Sequence, residues 1–107
     1  MTAQSKRIFY ILIEFPQLSQ TYVNNEIATL REDGHEVFVV SLNEANTKVE
    51  TDVPYEITSD FQRTLGLLRD FKPDVLHGHW LYTIPLLEKL SRKTGVPYTV
   101  RAHSFDV

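Results

Sequence analysis

Short apolar runs that alternate with amphipathic segments are the feature that most restricts the fold of this 107-residue chain. Residues 7–13 form an almost continuous apolar run, typical of a strand that is covered on both faces in a parallel sheet. Further β-rich runs occupy 36–42 and 98–102, another strand enters at 74–77, and 53–57 predicts a short edge strand. The sequence therefore predicts a sheet of successive short strands.

The segments between these runs have helical spacing of apolar residues. Val23, Ile27 and Leu30 recur at i, i+4 and i+7, which predicts a first helix that Ser19 caps and Gly34 ends. This helix and its two flanking strands form a βαβ unit.

Two more helices are predicted further along the chain. One covers 60–71, although Gly66 weakens it, and the next begins at Thr83 with Pro85 in its first turn. Strands that alternate with helices over short links indicate an α/β fold, a Rossmann-like parallel sheet with helices on both faces.

Length and composition limit the classes of protein to which this chain can belong. The chain is long enough for one domain, and 42% hydrophobic and 23% charged residues are typical of globular proteins. A net charge of −3 without like-charge blocks argues against a nucleic-acid partner. The absence of cysteine excludes disulfides and thiolate zinc sites and suits a cytoplasmic location. We find no signal peptide and no membrane span, and contact with the inner membrane surface stays open.

Ligands of open parallel sheets bind beyond the carboxyl ends of the strands, so 14–21, 78–82 and 103–106 are the segments of interest. Residues 14–21 contain no glycine, which excludes the dinucleotide fingerprint. The helix N-terminus there offers free N–H groups for a phosphate or a sugar edge, and an ordinary capped turn explains the segment equally well.

Two histidines, His77 and His79, are two residues apart on a strand and therefore point to the same side. Their spacing is compatible with two metal ligands. Because the chain has no cysteine and the third candidate, His103, is far along the sequence, we expect no metal. Histidines in a polar cleft are the favoured interpretation.

Aromatic and charged residues follow the last two strands. Trp80 and Tyr82 have flat faces with polar tips, which suit stacking on a sugar as well as core packing. Arg101, His103 and Asp106 supply a cation, an imidazole and a carboxylate within six residues. Their pattern fits a substrate-binding or catalytic group, and a surface hydrogen-bond network is the simpler alternative.

Four stretches carry a resemblance to a known family: 15–27 (FPQLSQTYVNNEI), 30–37 (LREDGHEV), 77–80 (HGHW) and 96–107 (VPYTVRAHSFDV). In this order they resemble the N-terminal domain of family-four GT-B glycosyltransferases. They are most similar to the branch that acts in exopolysaccharide and colanic-acid-type synthesis.

The resemblance implies an enzyme that transfers a sugar from a nucleotide diphosphate donor to a saccharide or lipid-linked acceptor, with retention of configuration. It implies no catalytic metal and no cofactor, and it implies that the N-terminal domain binds the acceptor. By residue matching, His103 is the expected catalytic residue, which stabilises charge near the donor sugar. Ser19, Thr21, His79 and Trp80 are expected to line the acceptor side.

Two departures from the family pattern bear on activity. Gln20 stands where the family often has glutamate, and the sequence stops directly after the His103 motif. We therefore expect 1–107 to be a partial N-terminal domain that is inactive alone, with the donor held mainly by a missing C-terminal domain. The alternative is a free-standing, non-catalytic saccharide-binding module. A flavodoxin-like domain is disfavoured because no acidic cluster follows the first strand.

Overall fold

A computed structural model describes residues 5–16, 21–47 and 49–101, except for the side chain of Tyr82. Within these described ranges, five strands and three α-helices alternate, with one short 3-10 helix before the last α-helix. The elements are β1 Arg7–Glu14, α1 Thr21–Glu32, β2 Glu36–Asn43, β3 Tyr55–Ile57, α2 Phe61–Phe71, β4 Val75–His79, the 3-10 helix Leu81–Thr83, α3 Ile84–Thr94 and β5 Tyr98–Arg101.

The five strands form one parallel sheet in the order β3-β2-β1-β4-β5. In its centre, Tyr10 of β1 pairs with Val39 of β2 on one side and with His77 of β4 on the other. The apolar run of β1 is buried from Ile8 to Leu12, as a strand covered on both faces requires. The predicted Rossmann-like arrangement is confirmed.

Helices cover both faces of the sheet. On one face, Val23 and Ile27 of α1 pack against β1 and β2. On the other, apolar side chains of α2 and α3 pack against the opposite side of the same strands and against β4. These buried residues are Phe9, Ile11, Val40, Leu65, Leu68, Leu76, Leu87 and Leu90. Because side chains alternate along a strand, β1 contributes to both cores.

The ends of the helices show where local sequence determines the structure. Gly34 follows α1 at φ 93°, a left-handed conformation that glycine adopts without a steric penalty, as predicted. Asp60 caps α2, since its carboxylate accepts a hydrogen bond from the Arg63 backbone N–H at 3.0 Å. The predicted side-chain cap at Thr83 is wrong, because its hydroxyl donates to the Trp80 carbonyl at 2.8 Å instead. The predicted Ser19 cap lies outside the described residues.

The strands differ slightly from the predicted bounds. β1 continues to Glu14, β2 to Asn43 and β4 to His79, whereas β3 begins at Tyr55 and has three residues. Within the described part of the chain, each helix is too short or too polar to cross a bilayer.

Candidate functional site

The strand order reverses between β1 and β4, because the chain runs outward from β1 to β2 and β3 and then crosses back to β4. Ligands of doubly wound sheets bind near the carboxyl ends of the strands at such a reversal. On the face that α1 covers, three polar aromatic rings lie beside this position. The Tyr10 ring centroid is 5.1 Å from that of His77 and 6.1 Å from that of His79.

The position of Glu26 follows from the amphipathic pattern of α1. Val23 and Ile27 are one helical turn apart and buried, which fixes the helix face that meets the sheet. Glu26 lies three residues after Val23 and directly before Ile27, at the border of that face. Its side chain therefore reaches the sheet near β4 and keeps 25% of its surface exposed.

Four side chains surround the Glu26 carboxylate, and we call the five residues together the Glu26 cluster. Oε1 accepts a hydrogen bond from the Tyr10 hydroxyl and lies 3.2 Å from Nε2 of His79 and 3.6 Å from Nε2 of His77. Oε2 lies 3.3 Å from Nη1 of Arg101. Residues from α1, β1, β4 and β5 thus converge on one carboxylate.

The cluster keeps Glu26 ionised and Tyr10 protonated. Burial acts to raise the pKa of Glu26, but hydrogen bonds from Tyr10 and His79 and the nearby histidines outweigh it, so that pKa lies below its ordinary value. Burial and then the hydrogen bond and charge of Glu26 raise the pKa of Tyr10 strongly. Tyr10 is therefore a hydrogen-bond donor to a carboxylate across the neutral pH range.

His77 is neutral near pH 7. Burial is the main cause that lowers the pKa of His77 below its ordinary value, and the neighbouring His79 adds to it against the pull of Glu26. Its 3.6 Å approach to Glu26 is consequently not an ion pair at neutral pH. Nδ1 of the same ring lies 2.6 Å from Oγ1 of Thr99, which fixes the orientation of the imidazole.

His79 and Arg101 end neighbouring strands and pair with each other in the sheet register. His79 is fully buried, with 0% of its surface exposed, so its side chain supports Glu26 from beneath. Arg101 is the accessible member, with 58% of its side chain exposed. Its guanidinium can therefore contact Glu26 and a ligand at the surface.

Trp80 follows β4 with φ 75° and ψ 133°, a backbone conformation that residues other than glycine seldom adopt. Three hydrogen bonds hold this conformation. The Trp80 N–H donates to the Arg101 carbonyl at 2.9 Å, and its carbonyl accepts from the N–H of Thr83 at 3.1 Å and from the Thr83 hydroxyl. The half-buried Trp80 is thus fixed beside the cluster by β5 and the 3-10 helix.

The structure brings part of the predicted site together. His79, Trp80 and Arg101 are neighbours, and the exposed Thr21 begins α1 at the same end of the sheet. The prediction that His77 and His79 point to the same side is confirmed. Three further predicted residues lie outside the described residues, and their roles stay predictions: Ser19, His103 and Asp106.

Sequence reasoning missed three members of this region. Tyr10 falls within a hydrophobic strand and belongs to no motif, and Glu26 lies in the 15–27 stretch but was given no role of its own. Tyr22 is exposed in the first turn of α1, with its ring centroid 6.1 Å from that of His79. A polar or aromatic residue beside the buried positions of a helix, at the carboxyl end of the sheet, is the sequence signal that could have identified Glu26 and Tyr22.

A family comparison agrees with this architecture. The model of the glycosyl transferase 4-like domain matches residues 19–107, which is most of the chain. The chain belongs to the glycosyl transferase 4-like domain family. Sugar transfer is therefore its class of activity, and the five-stranded parallel sheet is the fold expected of the N-terminal domain of such an enzyme. No curated protein and no solved structure matches the chain significantly.

Within this glycosyl transferase 4-like domain, the Glu26 cluster offers groups that suit sugar hydroxyls. A carboxylate accepts hydrogen bonds and an exposed guanidinium donates them. Tyr22 places an aromatic ring 6.1 Å from that of His79, and Trp80 directly follows His79 in the chain. Glu26, Arg101, Trp80 and Tyr22 fall within the part of the chain that the family model matches, and Tyr10 precedes that part.

Proposed function

We propose that this glycosyl transferase 4-like domain is the acceptor-side domain of a GT-B enzyme. The enzyme transfers a sugar from a nucleotide diphosphate donor to a saccharide or lipid-linked acceptor with retention of configuration, in exopolysaccharide-type synthesis. The observation that supports this proposal most directly is the convergence of His79 and Arg101 on the Glu26 carboxylate beside the reversal of strand order. Family membership gives the reaction class, and this polar region gives a place for the acceptor.

In this proposal the exposed groups bind the acceptor. Arg101 donates hydrogen bonds to sugar oxygens, Glu26 accepts from sugar hydroxyls, and Trp80 and Tyr22 pack against the apolar face of a sugar ring. His79 has no exposed surface, so it acts by holding Glu26 in place.

The roles proposed for the residues outside the described ranges rest on the resemblance of their motifs. Ser19 and Asp106 line the acceptor cleft together with the described Thr21. His103 stabilises the charge that develops at the reaction centre, an effect worth several kcal/mol in other enzymes.

The donor makes few contacts with this domain in the proposal. A second domain holds the nucleotide, so residues 1–107 alone transfer no sugar and need no cofactor. The cytoplasm is the proposed location, with peripheral association at the inner membrane surface when the acceptor is lipid-linked.

Titration calorimetry of the 107-residue chain tests the acceptor role. We expect a panel of oligosaccharides to include weak binders, and nucleotide sugars to bind more weakly than these. Arg101→Ala is expected to weaken saccharide binding by roughly 10- to 100-fold, because a hydrogen bond to a charged group contributes roughly 1.5–3 kcal/mol. The chain is expected to release no nucleotide from a nucleotide sugar.

His35→Ala is the matched control, since His35 precedes β2 at the opposite end of the sheet and accepts a hydrogen bond from the Lys6 N–H at 3.0 Å. Its saccharide affinity should equal that of the unsubstituted chain. Tighter binding of nucleotide sugars than of any saccharide would contradict the acceptor assignment. Equal loss in both variants would show that binding does not use the Glu26 cluster.

A further inference from the structure

We propose that Glu26, His77 and His79 form a zinc site that joins α1 to β4. The proposal goes beyond sugar transfer, although the site shares Glu26 with the proposed acceptor region: the ion would hold α1 to β4 and take no part in the reaction. The sequence alone disfavoured a metal, since the third candidate, His103, is distant along the chain. The fold supplies a different third ligand, the Glu26 carboxylate.

The three candidate ligand atoms already lie close together. One nitrogen from each imidazole and one carboxylate oxygen all lie within 4.8 Å of one another. Nε2 of His79 is 3.2 Å and Nε2 of His77 is 3.6 Å from Oε1 of Glu26. Ligand atoms around tetrahedral zinc are about 3.3–3.6 Å apart, from bond lengths of roughly 2.0–2.2 Å. The two histidine–carboxylate distances are close to this spacing, and rotation of the imidazole side chains would bring the two nitrogens to the same separation.

Neighbouring groups orient two of the three ligands. Oγ1 of Thr99 lies 2.6 Å from Nδ1 of His77, and when that nitrogen donates its proton to the hydroxyl, Nε2 presents its lone pair towards Glu26. The Tyr10 hydroxyl donates to Oε1 of Glu26, as expected of a group that supports a metal-binding carboxylate. Such supporting contacts are typical of metal sites in proteins.

The donor set favours zinc among common cations. Two imidazoles and one carboxylate form a known zinc combination that leaves a fourth position for water. Mg²⁺ and Ca²⁺ prefer oxygen ligands throughout, so two histidines argue against them. A cavity of about 280 Å³ reaches Tyr10, Glu26 and His77, which gives an ion a path to the ligands.

Among the described residues around the site, the guanidinium of Arg101 opposes the binding of a cation. It contacts Oε2, whereas the histidines and Tyr10 contact Oε1, so the two oxygens serve different partners. Because 58% of the Arg101 side chain is exposed, the guanidinium can turn into solvent when zinc binds. The Arg101 guanidinium therefore does not prevent zinc from binding.

Zinc titration of the tag-free, chelator-treated 107-residue chain tests the proposal. We expect one Zn²⁺ per chain by calorimetry, and Co²⁺ to give the intense visible absorption of a tetrahedral site. Zinc is also expected to raise the melting temperature, since a ligand that binds only the folded state stabilises it. If the metal-free chain is partly unfolded, zinc should restore its circular dichroism spectrum.

Four variants connect the binding to these residues. Glu26→Gln and His77→Ala are each expected to weaken zinc binding more than about 100-fold, beyond the roughly 10- to 100-fold expected for Thr99→Val, which touches no metal. His35→Ala removes a histidine outside the cluster and should leave the dissociation constant unchanged. Thr99→Val keeps a β-branched residue in the strand, so its measurement does not depend on whether the other variants fold.

Failure of the unsubstituted chain to bind Zn²⁺, or an octahedral Co²⁺ spectrum, would overturn the proposal. Zinc binding that is unchanged in Glu26→Gln and Thr99→Val, but lost in His35→Ala, would place the ion elsewhere and overturn it equally. Saccharide binding is measured separately, so a negative zinc result leaves the proposed function untouched.

Discussion

Gly78 lies in β4 between the two histidines, on the sheet face opposite the Glu26 cluster. A Cβ atom at this position would be 2.6 Å from Oγ1 of Thr83 and 2.7 Å from Cδ1 of Leu87. Thr83 is buried and its hydroxyl donates to the Trp80 carbonyl, so it has little freedom to move. The glycine therefore allows the start of α3 to approach β4 closely.

From this contact we predict that Gly78→Ala destabilises the domain by about 1–3 kcal/mol, the usual cost of an added group in a packed core. Urea unfolding of both proteins, followed by circular dichroism, measures the difference. A lower urea midpoint with an unchanged slope is the expected result. An unchanged midpoint would mean that Thr83 and Leu87 move apart at little cost.

The histidine pair illustrates what a sequence can show about a site. Because His77 and His79 are two residues apart in a strand, their side chains were predicted to point to the same face of the sheet. The structure confirms this prediction. Glu26 is 53 positions from His79, and its approach depends on how α1 is rotated over the sheet. The spacing of Val23 and Ile27 indicates which face of α1 meets the sheet, but which strand then lies opposite Glu26 depends on tertiary packing that local patterns do not encode.

At the scale of elements, Gly66 in α2 contrasts with Gly78. It is exposed within the helix, and a Cβ atom there would meet no atom within 4 Å. We predict that Gly66→Ala stabilises the domain by about 0.5–1 kcal/mol, because alanine loses less backbone entropy on folding. Urea unfolding under the same conditions measures this gain. A decrease in stability would contradict the open surroundings of this position.

Most elements were predictable because their apolar spacing matched their structure. Buried β1 appeared as a continuous apolar run, and α1 and α2 showed helical spacing that the buried side chains confirm. The bounds of β3 were predicted less accurately. Its three residues form a strand because they pair with β2, and their own composition does not favour a strand strongly. The side-chain cap at Thr83 was predicted wrongly because the turn after β4 places the Trp80 carbonyl within 2.8 Å of its hydroxyl, a contact that the local sequence does not indicate.

At the scale of the whole molecule, burial is graded across the sheet. β1 is hydrogen-bonded on both sides, by β2 and β4, and its central residues are buried. Among the described residues, β3 and β5 form the two edges, and β3 has no fully buried residue. Local opening of an edge strand breaks fewer contacts than opening of β1, so the free energy of opening should rise towards the centre.

Native-state hydrogen exchange checks this gradient. We predict that the amides of Ile8 to Leu12 exchange slowest, with protection close to the global free energy of unfolding, because they open only when both cores separate. Amides of β3 and β5 should exchange much faster, through local opening. The β2 amides provide an internal comparison, since β2 has neighbours on both sides but fewer buried residues than β1. Exchange at β5 as slow as at β1 would contradict an edge position for β5 in solution and indicate that another surface covers it.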